Sequence, residues 1–286
     1  MTDGKKTINK GKRGVIMTKA VAYTVLSLGA FGIIFPFLFA FVTSFTEPTG
    51  IYDFKWIPNP ITFENYEELF ENYNIFGGFL NTILYITPPI VIGVLTSAMA
   101  AYGFARLNFP GKEILFYAVL STMLIPGIIT MIPSFIMYSN LYHWVNTPLP
   151  LIVPGLFGAA STMFFLKQYI QGIPRSLEEA AYIDGMSKGG VFFTIILPLA
   201  KVALIAQFVL SFNGAYNDYL GPLLYVGTQK ELFTLQLVLN SLQSQGRTPY
   251  TLMMAGSMTA MLPMLLMFIF AQKYFIEGIS MTGIKE

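Results

Sequence analysis

Long apolar runs separated by short polar stretches dominate the sequence. The runs cover approximately residues 20–45, 79–105, 115–138, 148–169, 201–226 and 252–276. Each is long enough to supply the roughly 20 residues that an α-helix needs to cross the hydrocarbon layer of a bilayer. Helices are the expected form, because a segment in lipid must satisfy its own backbone polar groups. The pattern predicts an all-α, polytopic membrane protein with six transmembrane helices.

The distribution of basic residues predicts the orientation of these helices. If both termini are cytosolic, fourteen of the 17 Lys and Arg residues lie on the inner side, and only Lys55, Lys230 and Arg247 lie outside. Such an excess on the inner side is typical of membrane proteins. Adding or removing one helix would scramble this asymmetry, so the charges favour six spans with both termini in the cytosol.

Composition excludes several classes of protein. Hydrophobic residues make up 54% of the chain and charged residues 11%, whereas soluble proteins carry about 25% charged residues. The net charge of +2 is too small to suggest binding to nucleic acid. The chain has no cysteine, which excludes disulfides, thiolate metal sites and cysteine nucleophiles, and no metal site is predicted.

The segments outside the apolar runs define the remaining boundaries. Residues 1–19 are polar and basic and are predicted to be a flexible cytosolic tail. The run at 20–45 is longer than the 7–15 apolar residues of a signal peptide, so an uncleaved span is favoured over a cleaved signal. Residues 46–76 form the predicted extracytoplasmic loop, with a short helix in the sequence ENYEELF, and residues 274–286 form a cytosolic tail.

A polar, charged segment interrupts the apolar pattern at residues 176–198, SLEEAAYIDGMSKGGVFFTIILP. Ser176 and Glu179 have the spacing of a capping box, in which each side chain accepts a hydrogen bond from the other residue's backbone amide. This predicts a helix that starts at Leu177. Glu178 and Glu179 then lie in its first turn, where negative charge suits the positive end of the helix dipole.

A glycine is predicted to end this helix. Gly185 can adopt the left-handed conformation that stops a helix, and Ser187 can cap a second segment that ends at Pro198. The loop is therefore expected to consist of two short helices that meet at a glycine. Ala180 and Ala181 would give it a flat surface on which another protein can bind closely.

The spacing in this segment resembles the EAA loop of ABC importer permeases at every position. The matching positions are Glu179-Ala180-Ala181, then Gly185 after three intervening residues, Ile195 after nine more, and Leu197-Pro198 after one more. In that family the loop docks into a cleft of a separate ATPase subunit. The resemblance assigns to this coupling role the residues Glu178, Glu179, Ala180, Ala181, Asp184, Gly185, Ile195, Leu197 and Pro198. The alternative is an amphipathic cytosolic loop without a partner.

Within that family the chain resembles the maltose/oligosaccharide permease group over nearly its whole length. The resemblance implies the type I importer permease (MetI-like) fold, with a five-helix core at residues 77–273. It also implies a bacterial cytoplasmic membrane and three kinds of partner: a homologous permease subunit, two ATP-binding cassette ATPases and an extracytoplasmic solute-binding protein. ATP and Mg²⁺ would bind to the ATPases, so no cofactor is expected on this chain. Glu179 would be a charged contact, Ala180 and Ala181 close-packed contacts, and Gly185 a corner.

The run at 201–226 contains a polar minority, Gln207, Ser211, Asn213 and Asn217. Polar groups are costly in lipid and usually face a bundle interior or a wet cavity. Gln207, Ser211 and Asn217 are predicted to share a broad face, with Asn213 to one side. This face would line the translocation pathway or the seam with the partner permease subunit. Hydrogen bonds between helices, without substrate contact, are the alternative.

A polar stretch lies between the last two apolar runs. It contains Ser244, Gln245, Gly246 and Arg247. In the maltose-type permeases that the chain resembles, the corresponding outer loop contacts the sugar-binding protein. A solvated connector is the alternative reading.

The sequence argues against enzymatic activity on this chain. It contains no G-x-x-x-x-G-K-[ST] run, since Gly111-Lys112 lacks both the preceding glycine and the following hydroxyl. The predicted function is therefore that of a permease subunit, which takes up a sugar or oligosaccharide and is driven by separate ATPases. An ion-coupled secondary transporter is the main alternative, although it would need ionisable residues within the spans. A structural membrane scaffold is a third possibility.

Overall fold

The computed structural model describes residues 4–47, 56–245 and 250–282, with side chains described over 17–47, 56–243 and 250–273. Every regular element in these ranges is helical. The chain divides into two compact units, one made of residues 1–71 with 246–259 and the other of residues 72–245 with 260–286.

The first unit contains the helix α1 (Gly4–Ser44) and most of α2 (Glu64–Asn72). α2 confirms the short helix predicted in the loop after the first apolar run. Its buried Asn65 holds the end of α1, because the side-chain amide donates to the carbonyls of Ser44 (3.0 Å) and Thr46 (2.8 Å). These carbonyls follow the last turn of a helix, where backbone acceptors lack internal partners. α1 already begins at Gly4, so the helix extends through most of the predicted tail at residues 1–19.

The second unit is organised around α3 (Ile75–Arg106), whose buried face extends along the whole helix. Asn74 caps its start by accepting a hydrogen bond from the amide of Gly77 at 3.1 Å. α3 packs against α7 (Ala160–Gln171), α11 (Lys201–Tyr216) and α13 (Leu235–Ser241). The remaining helices are α4 (Lys112–Ser121), α5 (Gly127–Ile136), α6 (Leu149–Ile152), α8 (Ser176–Ile183), α9 (Lys188–Val191), α10 (Leu197–Leu199), α12 (Leu220–Val226) and α14 (Tyr250–Thr282).

Small residues allow α3 to touch the backbone that precedes α7. A Cβ atom built on Gly93 would lie 2.3 Å from the carbonyl oxygen of Gly155, which belongs to the 3₁₀ turn Pro154–Phe157. Gly158 has a φ of +85°, and a Cβ there would lie 2.5 Å from the Ser97 hydroxyl oxygen. Small residues permit such close approach between helical segments. They fix α3 directly beside this turn.

The described residues contain four helical segments that are long and apolar enough to cross a membrane: Met17–Ser44, Ile75–Arg106, Leu149–Gln171 and Tyr250–Lys273. Two further pairs pass the same test only together, because each is bent. Lys112–Leu124 and Gly127–Leu141 meet at 94°, and Lys188–Leu199 and Lys201–Tyr216 meet at 73°. The number of spans is six if each bent pair counts as one, so six spans remains a prediction.

Several predicted helix boundaries differ from the structure, and three of the differences concern the ends and breaks of the later runs. The run at 115–138 is broken at Pro126, where a proline removes a backbone donor. The run at 201–226 is broken after Tyr216, where the side chains of Asn217 and Asp218 hydrogen-bond to the nearby backbone, an alternative to the regular helical ladder. α14 continues to Thr282, beyond the predicted start of the C-terminal tail at residue 274.

Candidate functional site

The 176–198 loop contains a helix at the predicted position, but no side chain caps its start. α8 starts at Ser176, and the N-cap is Arg175, which already has helical backbone angles and makes no side-chain cap. The amides of Glu178 and Glu179 donate to the carbonyl of Arg175 at 2.9 and 3.0 Å. The predicted capping box is therefore wrong, because Ser176 lies inside the helix and lacks the extended backbone of a capping residue.

The glycine corner of the loop is confirmed. Gly185 has a φ of +79° and donates from its amide to Tyr182 (3.1 Å), while the amide of Met186 donates to Ala181 (2.9 Å). This pair of bonds is the Schellman arrangement that ends many helices. The second segment starts as predicted, because the Ser187 hydroxyl accepts from the amide of Gly190 at 3.1 Å.

The second segment of the loop is not one regular helix. α9 is followed by a π-helical turn, Phe192–Ile196, and then by α10, which ends at Leu199, one residue after the predicted end. Val191, Phe192 and Ile196 are buried in the hydrophobic core of the second unit. The loop is thus partly embedded in the bundle that it connects.

α8 has one buried and one exposed side. Ala181 is 4% exposed and belongs to the hydrophobic core, so it cannot be a close-packed contact with another subunit. Ala180 is exposed, and so are Leu177 (45%) and Ile183 (87%). These three residues are spaced by three along the helix and form one surface. Leu177 and Ile183 were absent from the predicted site, although their spacing from Ala180 is the helical period that could have identified them.

The other predicted loop residues fall into three groups. Glu179, Asp184, Gly185 and Pro198 are exposed, whereas Ile195 and Leu197 are partly buried. Glu178 is buried and contacts Arg106, so its carboxylate does not face solvent as a contact for another subunit.

The polar residues of α11 lie on two sides of the helix rather than on one. Gln207 is buried and Ser211 is partly buried. Asn213 and Asn217 are exposed, and the Asn217 amide donates to the Asn213 side-chain oxygen at 3.1 Å. Asn213 lies to one side as predicted, but Asn217 does not share the face of Gln207 and Ser211, because it follows the last residue of α11 and is hydrogen-bonded to Asn213 on the exposed side.

Ser211 lines a partly open cavity of about 290 Å³ in the second unit. Most of the wall is apolar, and its polar groups include Thr82, Asp218 and Thr234. The Thr82 hydroxyl donates to the carbonyl of Gly78 (2.8 Å) and accepts from the amide of Leu235 (2.9 Å). A mostly apolar cavity with a few placed polar groups is the usual form of a small-molecule site.

Part of the predicted outer contact can be located. The backbones of Ser244 and Gln245 complete the 3₁₀ turn Leu242–Gln245, whereas Gly246 and Arg247 lie outside the described residues. Among the residues that the structure describes, no group of three or more His, Asp or Glu side chains could hold a metal ion.

Comparisons with known proteins agree with one another. The sequence profile of the family described as "Binding-protein-dependent transport system inner membrane component" matches residues 90–280. The chain is 35% identical over 229 residues to the arabinooligosaccharides transport system permease protein AraQ of Bacillus subtilis (strain 168), and the match covers 80% of each protein. It is 30% identical over 258 residues to the lactose transport system permease protein LacG of Rhizobium radiobacter, covering 90% of this chain and 93% of that one.

A solved structure has the same fold. It is a chain of a bacterial ABC transporter involved in the import of the acidic polysaccharide alginate. The two structures superpose with a TM-score of 0.79 at 22% sequence identity, over 92% of this chain and 98% of the other.

Proposed function

This chain belongs to the family of binding-protein-dependent transport system inner membrane components, and we propose that it is a permease subunit of a carbohydrate ABC importer. It is a multi-pass membrane protein, with several helices apolar enough to span a bilayer. Its relatives include permeases named for arabino-oligosaccharides and for lactose, which supports a sugar or oligosaccharide as the transported solute. The family description itself names dependence on a binding protein.

In the proposed topology, six spans cross a bacterial cytoplasmic membrane and both termini are cytosolic. Each of the two bent pairs forms one span. The excess of Lys and Arg on the inner side supports this orientation. The core at residues 77–273 then carries the 176–198 loop on its cytosolic side, where ATPase subunits can reach it.

The observation that carries the proposal is the division of α8 into two sides. Its outer side presents Leu177, Ala180 and Ile183, a compact apolar surface that suits a cleft in an ATPase subunit. Its inner side places Ala181 in the same core as residues of α3 and α7. Movement of a docked ATPase would therefore reach the spans through packed side chains rather than through a flexible link. In this proposal the ATPase subunits hydrolyse ATP, and the helices of this chain move in response.

The solute pathway is proposed to lie between this chain and a second, homologous permease subunit. Asn213 in α11 and Asn217 at its C-terminal cap support this position, because both are exposed on the chain at the end of a mostly apolar helix. Two amide side chains facing hydrocarbon would be costly, so this side of α11 suits a polar pathway or the seam with the partner subunit. Ser211 and its cavity lie on the other side of the helix.

Single-cysteine cross-linking tests the docking role. The chain has no native cysteine, so Ile183→Cys introduces one thiol at a residue that is 87% exposed. We expect a thiol-reactive cross-linker at this position to capture an ATPase subunit in membranes. The matched control is Tyr142→Cys, also exposed but on the proposed outer side, which should capture none. Capture from Tyr142→Cys, or labelling of Ile183→Cys by an impermeant reagent added outside, would contradict the topology.

The solute is tested through the binding protein. We expect arabino-oligosaccharides or other small saccharides to raise the melting temperature of the cognate solute-binding protein, and ions and amino acids to leave it unchanged. Uptake of the same sugar into proteoliposomes should require both ATPase subunits and ATP. Uptake that an ion gradient drives without the ATPases would instead identify a secondary transporter.

A further inference from the structure

A buried ion pair joins the 176–198 loop to α3. Arg106 is the last residue of α3 and Glu178 lies in the first turn of α8. The Arg106 Nε atom is 2.5 Å from a carboxylate oxygen of Glu178, and each side chain is 6% exposed. Two oppositely charged side chains are thus enclosed at the junction of the two helices.

The same guanidinium also binds the end of α7. Its Nη2 atom donates to the carbonyls of Ile170 (2.7 Å) and Ile173 (2.5 Å). The last carbonyls of a helix lack internal partners and carry partial negative charge. Arg106 therefore neutralises the end of α7, while Glu178 sits at the positive end of α8. One side chain joins α3, α7 and α8.

A second contact between α3 and α8 lies one helical turn from the Arg106–Glu178 pair. The hydroxyl groups of Tyr102 in α3 and Tyr182 in α8 are 3.1 Å apart. Each tyrosine lies four residues from the charged residue of its own helix, and residues four apart share a helix face. Ala105 and Ala181 belong to the buried core at the same level. α3 and α8 are therefore joined at two positions, so α8 is fixed in its orientation as well as held in place.

We propose that Arg106 and Glu178 are positioning residues for coupling, which fasten α8 to α3 so that the loop and the span move as one body. This inference rests on the proposed function. A buried ion pair is a poor source of stability, because desolvation of both charges offsets their attraction. The pair instead fixes geometry, since the planar guanidinium directs its donors at a carboxylate and two carbonyls in fixed directions, whereas an ammonium is a freely rotating point charge.

Glu178→Gln tests the proposal with little change in side-chain volume. The surface of Leu177, Ala180 and Ile183 is left intact, so the ATPase subunits should still co-purify with the permease. We expect ATP hydrolysis to continue while uptake of a radiolabelled arabino-oligosaccharide falls, so that ATP consumed per sugar transported rises about tenfold, within the usual range of coupling between two sites. Arg106→Lys, which keeps the charge, should give a smaller rise than Arg106→Gln.

The matched control is Glu113→Gln, which removes an exposed carboxylate from the first turn of α4. It should leave the ATP-to-sugar ratio unchanged. A Glu178→Gln complex with the unmodified ratio would overturn the proposal. If the unmodified complex itself hydrolyses no ATP and transports no sugar, it is the proposed function that fails.

A second measurement needs neither ATPases nor substrate. Spin labels on Asn108→Cys and Lys188→Cys, both exposed, report the distance between the end of α3 and the loop in the purified permease. We expect Glu178→Gln to broaden this distance distribution and Glu113→Gln to leave it unchanged. An equally narrow distribution in Glu178→Gln would show that the pair does not fix the loop.

Discussion

Ala180 and Ala181 are consecutive residues of α8, yet the first is exposed and the second is buried. Ala181 is 4% exposed and packs in the core of the second unit, whereas Ala180 lies on the exposed surface. A motif in which both alanines look equivalent therefore serves two purposes. Ala181 lets α8 lie close to the bundle, and Ala180 contributes to the surface proposed to bind an ATPase subunit.

Enlarging these two alanines should have different effects. Ala181→Leu should destabilise the purified permease by about 1–3 kcal/mol, because extra methyl groups would overfill a packed core. Ala180→Leu should leave the melting temperature unchanged and instead weaken co-purification of the ATPase subunits. Thermal unfolding and pull-down of the two variants separate the effects. Equal loss of stability in both variants would contradict the two-sided arrangement.

Substitution of two serines tests the N-terminal cap of α9, the start of the second loop segment. Ser187→Ala removes the acceptor of the Gly190 amide and should destabilise this turn by about 1 kcal/mol. Hydrogen exchange at the Gly190 amide should then speed up about fivefold. Ser176→Ala is the control, because Ser176 is not the N-cap of α8. If Ser176→Ala speeds hydrogen exchange at the start of α8 by the same factor, Ser176 does cap that helix and the finding above is contradicted.

The effect of a substitution at Gly185 should come from its backbone conformation and not from steric contact with neighbouring atoms. A Cβ atom at Gly185 meets nothing within 4 Å, but its φ is +79°, a conformation that costs other residues about 1–2 kcal/mol. Gly185→Ala should loosen the corner, and Gly185→Asn should do so less because asparagine tolerates this conformation. The distance distribution between labels at positions 108 and 188 should broaden in the same order. Gly189→Ala is the control, since it has open space and no positive φ.

The contact between α3 and the turn before α7 predicts a contrast between two glycines. Gly93→Ala would place a methyl group against the Gly155 carbonyl and should lower the free energy of unfolding by about 1–3 kcal/mol. Gly103 lies in the same helix, and a Cβ there meets nothing within 4 Å. Gly103→Ala should be neutral or stabilise by up to about 1 kcal/mol. Thermal melting in detergent compares the two, and a stable Gly93→Ala variant would contradict the close contact.

The parts of the fold that follow from short stretches of sequence were predictable. The apolar run that forms α3 is long enough to identify without its neighbours. The stop at Gly185 and the start at Ser187 depend on residues within one or two turns. The motif of the 176–198 loop also has fixed local spacing, and this allowed the family to be identified before any packing was known.

Other features were not predictable because they depend on residues far apart in the chain. Arg106 and Glu178 meet only once α3 and α8 pack together, and nothing near either residue in the sequence identifies its partner. The two sides of α11 were misjudged because its polar residues had to be assigned to a face before the neighbouring helices were known.

The sequence by itself determined that this is an α-helical membrane protein and where the 176–198 loop turns, because apolar run length, glycine conformation and serine capping act within a few residues. Only the tertiary structure decided which loop residues are available to a partner and which are fixed to the bundle. That division depends on the helices that cover each side of α8, and burial is a property of the packed chain.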